Sequence, residues 1–174
     1  MKPVGNGCAL IVCALCACPV WSAPSTAYAP SAMEKRVQAL EDRADIEHLL
    51  MDYGRALDAR DFARYSNMFA VNGQWVGSIG SFRGPSAIKA AMEKAFEVPA
   101  GKVAPVFIHL LTNAIIDVDG DRAAAVSKWT FVKIDDNKPT IANIGQYDDT
   151  FIRENGRWKF LRRVAPSALA TVSK

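Results

Sequence analysis

The chain has 174 residues, half of them apolar, with 21 Lys and Arg against 18 Asp and Glu and two histidines. That length suits one domain with a sizeable core. The charges alternate in sign and form no basic block, so nothing in the pattern predicts a nucleic-acid surface.

The first residues stand apart from the rest. Lys2 precedes the uncharged apolar run "CALIVCALCACPVW", and "VWSAPS" and "STAYAPS" follow with small-residue sites after Ala23 or Ala29. A positive start, a short apolar middle and an A-x-A-like end predict a secretory signal peptide over residues 1–29. The run is shorter than the roughly 20 apolar residues a membrane span needs. All four cysteines (8, 13, 16 and 18) lie in it. The mature chain is therefore expected to be periplasmic or secreted, without a thiol nucleophile or disulfide, and free of the membrane after cleavage. Loss of Lys2 leaves 20 basic residues against 18 acidic ones.

From residue 33 to 58, Ile46, Leu50, Tyr53 and Leu57 recur at helical spacing, widened by Leu49 and Ala56. His48 falls on the opposite, charged face and reads as a solvated bystander. Val37 and Leu40, in the leading turns, are candidates for packing on another subunit. "DARD" ends this helix, and Asp61 predicts an N-cap for a second, "FARYSNMF". "GQWVGSIGSFRG" reads as two short strands, and Pro85 opens a third helix with Ile88, Met92 and Phe96 on its apolar side. After the Pro/Gly linker "EVPAGKVAPV" the period changes to two. Strands are predicted over about 106–118, 122–134, 141–153 and 157–165, with "DVDGD" and "ENGR" as hairpin turns. Helices first and a mainly antiparallel sheet afterwards predict an α+β fold, the helices covering one face of a curled sheet. A cavity between the two layers is where a small ligand would bind.

Alternation places His109, Leu111 and Asn113 on one side of their strand. It turns Ala125, Ser127, Trp129 and Phe131 away from Lys128, which should face water. This predicts a cavity wall of Trp129 and Phe131 with Ser127 as its hydroxyl. His109 has a ring suited to proton transfer, or it is a core imidazole held by one hydrogen bond. Asp58 is its natural partner, since a carboxylate on one ring nitrogen fixes the tautomer. The difficulty is angular: five helical residues separate Tyr53 from Asp58 by about 140°. Tyr53 lies on the buried stripe with a hydroxyl that needs a partner. Arg162 and Arg163 fall on opposite faces of the last strand, so one should point inward. No three-ligand metal set, phosphate loop or nucleophile elbow is present in the sequence, and no cofactor is expected.

Four stretches together, "RADIEHLLMDYGRALDARDFARYSNMF", "WVGSIGSFRGPSAIKAAM", "HLLTNAIIDVDGDRAAAVSKW" and "GQYDDTFIRENGRWKFLRRV", resemble the SnoaL-like branch of the nuclear-transport-factor-2-like superfamily. The resemblance spans roughly residues 34 to 165 and implies a cone-shaped α+β barrel, with a homodimer or homotrimer as the usual assembly. It also implies kinship with hexachlorocyclohexane dehydrochlorinases, bile-acid 7α-dehydratases and, more distantly, scytalone dehydratases, which eliminate a group from a hydrophobic ring without a cofactor. In the first two an Asp ending the first helix pairs with a His opening a strand, here Asp58 and His109. "YGRALD" matches the bile-acid enzymes' tyrosine at Tyr53, where the dehydrochlorinases have lysine. "WKFLRR" matches a dehydrochlorinase arginine at Arg163. Ser127 stands where scytalone dehydratases have a second histidine, which speaks against their chemistry. The resemblance thus implies a lyase or isomerase acting on a small hydrophobic, cyclic molecule, with His109 as base and Asp58 orienting it. Tyr53 and Arg163 would hold the leaving group or oxyanion, while Trp75, Ser127, Trp129 and Phe131 would shape the pocket. A non-catalytic exported ligand-binding or interaction protein of the same fold is the alternative.

Overall fold

A computed structural model describes residues 30–135 and 138–166; the signal-peptide expectation, including both cleavage sites, lies outside the described residues. Helix α1 runs Ala32–Asp58 and opens with a capping box: the Ser31 hydroxyl accepts from the Glu34 N–H, and the Glu34 carboxylate accepts from the Ser31 N–H. Its buried stripe is the predicted one, Ile46, Leu50, Tyr53, Ala56 and Leu57, while His48 is exposed. Helix α2 (Phe62–Asn67) is capped by Asp61, whose carboxylate accepts from the Arg64 N–H at 2.9 Å. Strands β1 (Phe69–Gly77) and β2 (Gly80–Arg83) form a short hairpin, and Pro85 begins helix α3 (Pro85–Ala95). Then come β3 (Val106–Asp119), β4 (Arg122–Asp135), β5 (Lys138–Glu154) and β6 (Arg157–Ala165).

The strands make one six-stranded sheet in the order β2-β1-β6-β5-β4-β3. Five strand pairs result, all antiparallel except β1 with β6, so the sheet is mixed; β2 and β3 form its two edges and it does not close. The fold is α+β, as predicted. Inward-facing Trp129, Tyr147, Phe151 and Phe160 meet the buried faces of α1, α2 and α3. Each such side chain contributes on the order of 1.5–3 kcal/mol through burial.

One part of the predicted alternation fails. Asn113 was expected beside His109 and Leu111, but it has φ 53° and is exposed, because the β3–β4 register shifts between Thr112 and Ile115. The extra residue bends β3 and turns Asn113 out. Below the bulge the pattern resumes with Ile116 inward.

Candidate active site

A cavity of about 460 Å³ opens between the sheet and the helices. Tyr53 and Leu57 of α1, Tyr65 of α2, Met92 and Phe96 of α3, and Trp75 of β1 line one side. Phe107 and His109 of β3, Trp129 and Phe131 of β4, and Tyr147 of β5 line the other. Lys102, Val103 and Pro105 of the α3–β3 connector line it as well. The lining is mainly aromatic and aliphatic, which suits a small hydrophobic ligand.

His109 is brought to Asp58 by two local features. β3 is an edge strand, so its outer N–H groups need a partner. Asp58, the last residue of α1, accepts from the His109 backbone N–H through both carboxylate oxygens, at 3.1 and 3.0 Å. The same carboxylate meets the His109 ring, with Nδ1 2.5 Å from Oδ1. An ionised carboxylate can only accept, so Nδ1 carries the proton and Nε2 presents its lone pair. Nε2 has no hydrogen-bond partner among the described residues, and the ring lines the cavity, 4.5 Å from the Phe131 ring between centroids. The approach requires a small residue on the helix. A Cβ added at Gly54 would sit 3.4 Å from the His109 Cβ and 3.3 Å from the Leu111 Cδ1. Asp58 also stands at the negative end of α1, where a carboxylate is disfavoured by roughly 0.3–1 kcal/mol. Its position is better explained by the imidazole than by helix stability.

The angular difficulty between Tyr53 and Asp58 resolves without distortion. Tyr53 faces the cavity, whereas Asp58 does not line it and reaches the imidazole from the β3 edge. The Tyr53 hydroxyl accepts from Trp75 Nε1 at 3.1 Å and lies 2.7 Å from the Tyr65 hydroxyl. Tyr65 and Tyr147 also line the cavity. Burial pushes both of their phenols well above the usual tyrosine value, so they are proton donors rather than anions. Sequence reasoning missed Tyr65 and Tyr147. The inward spacing of Tyr147, Asp149 and Phe151 was the available signal.

Two expected site residues lie elsewhere. Arg163 is the inward arginine, fully buried, while Arg162 is exposed. Arg163 does not line the cavity. Its Nε and Nη2 bond both oxygens of Asp149 at 2.8 and 2.6 Å, an ion pair between cross-strand neighbours of β5 and β6. Burial opposes the charge, but Asp149 more than offsets it and holds the guanidinium well above its ordinary value. Direct contact with a leaving group is therefore not what this geometry offers. Ser127 shares the inward face of β4 but lies beneath the wall, 1 % exposed, with no partner for its Oγ among the described residues. Trp75, Trp129 and Phe131 line the cavity as expected. Among the described residues no group of three His, Cys, Asp or Glu could hold a metal ion.

An open mixed sheet with helices packed on it and a polar pair at an apolar hollow defines an α+β pocket protein. Residues 38–164 match the SnoaL-like domain, and the chain belongs to that family. An uncharacterised protein of Mycobacterium tuberculosis H37Rv is 28% identical over 132 residues, covering 74% of this chain and 86% of its own length. Among solved structures, an NTF2-like protein with a cystatin-like fold from Novosphingobium aromaticivorans superposes with TM-score 0.68 at 23% identity, over 78% of this chain and 88% of that one. A scytalone dehydratase candidate from the same organism superposes with TM-score 0.64 at 23% identity, over 76% and 88%. These structural likenesses establish the fold.

Proposed function

We propose that the protein is a cofactor-independent lyase or isomerase acting on a small hydrophobic, cyclic molecule. The observation that carries this reading is the 2.5 Å contact between His109 Nδ1 and Asp58, with the ring exposed to an apolar cavity. In the proposed step, Nε2 takes a proton from a substrate carbon. The C–H electron pair forms a carbon–carbon double bond as a leaving group departs, or delocalises onto a conjugated oxygen before reprotonation elsewhere. Asp58 orients the ring and stabilises the imidazolium. Tyr53 donates to the oxygen that gains charge, and Trp75, Trp129 and Phe131 hold the ring of the substrate. Positioned general-base catalysis supplies roughly 10²–10⁴-fold, and a donor to a developing oxyanion a similar factor. His109→Ala and Asp58→Asn should each abolish turnover of a substrate identified by mass spectrometry of co-purified small molecules, with cooperative unfolding retained. Full activity in both variants would refute the assignment.

A binding protein of the same fold is the second reading. The observation favouring it is that the Tyr53 oxygen is already engaged by Trp75 and Tyr65. A His109 ring that stays neutral and shielded throughout an NMR pH titration would support this reading. We further propose export to the periplasm or medium, directed by residues 1–29, which the mass of the mature protein tests. A homodimer or homotrimer is supported by exposed Ile108, Leu110, Val126 and Ile144 on the outer face of β3–β5. Light scattering on a Leu110→Lys variant tests that assembly.

A further inference from the structure

Arg163 is a poor candidate for binding substrate and an odd one for a purely structural ion pair. Its guanidinium carbon lies 3.9 Å from the Tyr53 ring centroid, 3.9 Å from that of Tyr147 and 4.3 Å from that of Phe160. Asp149 takes two of its nitrogens, and Nη1 has no partner among the described residues. A cation that needed only neutralising would not also require two phenol faces. Arginine does suit this place, because a planar, weakly hydrated cation can stack on rings while it bonds a carboxylate edge-on. The rings it touches on two sides are those of tyrosines lining the cavity.

We propose that Arg163 is a positioning residue that acts through the two tyrosines stacked on it. It fixes their rings and lends positive potential to their hydroxyls, so that the cavity floor takes a substrate oxygen that carries or gains negative charge. This rests on the cavity being the ligand site. It narrows the substrate to molecules with a phenolic, enolic or enolisable carbonyl oxygen, rather than a halide as the only polar group. The physical reason is distance and medium. A cation against a ring face polarises the phenol most strongly where water is excluded, and Arg163 is fully buried. Asp149, the counter-ion, partly cancels that effect. The two charges therefore push the floor in opposite directions, even though loss of either one destabilises the fold.

That opposition is the test. Equilibrium binding of para-nitrophenol, para-cresol and nitrobenzene is measured by calorimetry on the full chain. The wild type should favour the acidic para-nitrophenol over para-cresol, with nitrobenzene setting the contribution of the ring alone. The neutral pair Arg163→Gln with Asp149→Asn keeps side-chain hydrogen bonding without buried charge. It should lose about tenfold of the preference for the acidic phenol over para-cresol, beyond any change that nitrobenzene shows in binding of the bare ring. Asp149→Asn alone should increase the preference; should that variant not fold, the double variant decides. The proposal is overturned by a wild type without the preference, by a double variant that keeps it, or by a single variant that lowers it. Failure of the dyad reading would look different: His109→Ala would retain full turnover, whatever the phenols do.

Discussion

Two of the carboxylates that hold a basic side chain across elements, Asp149 and Asp58, are built for different ends. Asp149 and Arg163 are fully buried on adjacent strands, and each is bonded to the other through two contacts. Asp58 and His109 join a helix end to an edge strand, with side chains 24 and 7 % exposed, and the imidazole keeps one nitrogen without a partner among the described residues at the cavity. The sealed pair does not line the cavity and so offers a substrate nothing directly, and its role is electrostatic and architectural. The dyad presents the Nε2 lone pair, and sits where a carboxylate gains nothing from its helix. Bonding capacity left over at a cavity, rather than the presence of an ion pair, separates a site from a brace.

The sharpest way to break this comparison is to remove each base in turn. His109→Ala should lower turnover by roughly 10²–10⁴-fold while costing little stability, as steady-state kinetics and thermal unfolding would show. Arg163→Met should cost about 3–5 kcal/mol in denaturant unfolding, because Asp149 is left as an unpaired buried charge. If the two variants behaved alike, the division between site and brace would fail.

A third carboxylate sharpens the same distinction. Asp42, 3 % exposed, lies in the first half of α1. It accepts from Gln38 Nε2 at 3.0 Å and Trp158 Nε1 at 3.3 Å, and Arg153 Nη2 lies 2.6 Å away. Burial works against its charge, but those partners win and hold its carboxyl below the usual range. A depressed folded-state value means stability that is present above the unfolded value and lost as pH falls through the folded one. Asp42→Asn should therefore flatten the acid limb of the stability profile and cost about 1–2 kcal/mol near neutrality, with turnover untouched. Chemical unfolding across an acidic pH series checks this.

The smallest effect belongs to Gly54→Ala. Helix propensity favours alanine by up to about 1 kcal/mol. Contacts at 3.3 and 3.4 Å oblige Leu111 and His109 to give by a few tenths of an ångström. Stability should change by less than about 1 kcal/mol while turnover falls several-fold, since the dyad is displaced.

Periodicity made most of the fold and half of the site readable in the sequence. The α1 stripe, the Asp61 cap and the β3–β4 and β5–β6 hairpins follow from local spacing and turn chemistry. The parallel pairing of β1 with β6 did not, because it joins strands eighty residues apart with no turn between them to record it. The bulge at Asn113 was hidden for another reason. Alternation assumes one residue per register step, and between Thr112 and Ile115 β3 carries one residue more than β4, with Asn113 at positive φ. Alternation left open which of Arg162 and Arg163 faces inward, and the leaving-group role that the resemblance implied for Arg163 took no account of cross-strand Asp149, which engages it. Asp58 with His109 came from residue chemistry together with family resemblance, neither of which fixes a distance.

The central claim concerns one proton. Two-bond proton–nitrogen NMR correlation on the His109 ring reads the tautomer directly, without a substrate. The account predicts that the neutral ring carries its proton on Nδ1 in the wild type and a mixture of tautomers in Asp58→Asn. A wild-type ring protonated on Nε2, or the same mixture in both proteins, would contradict it.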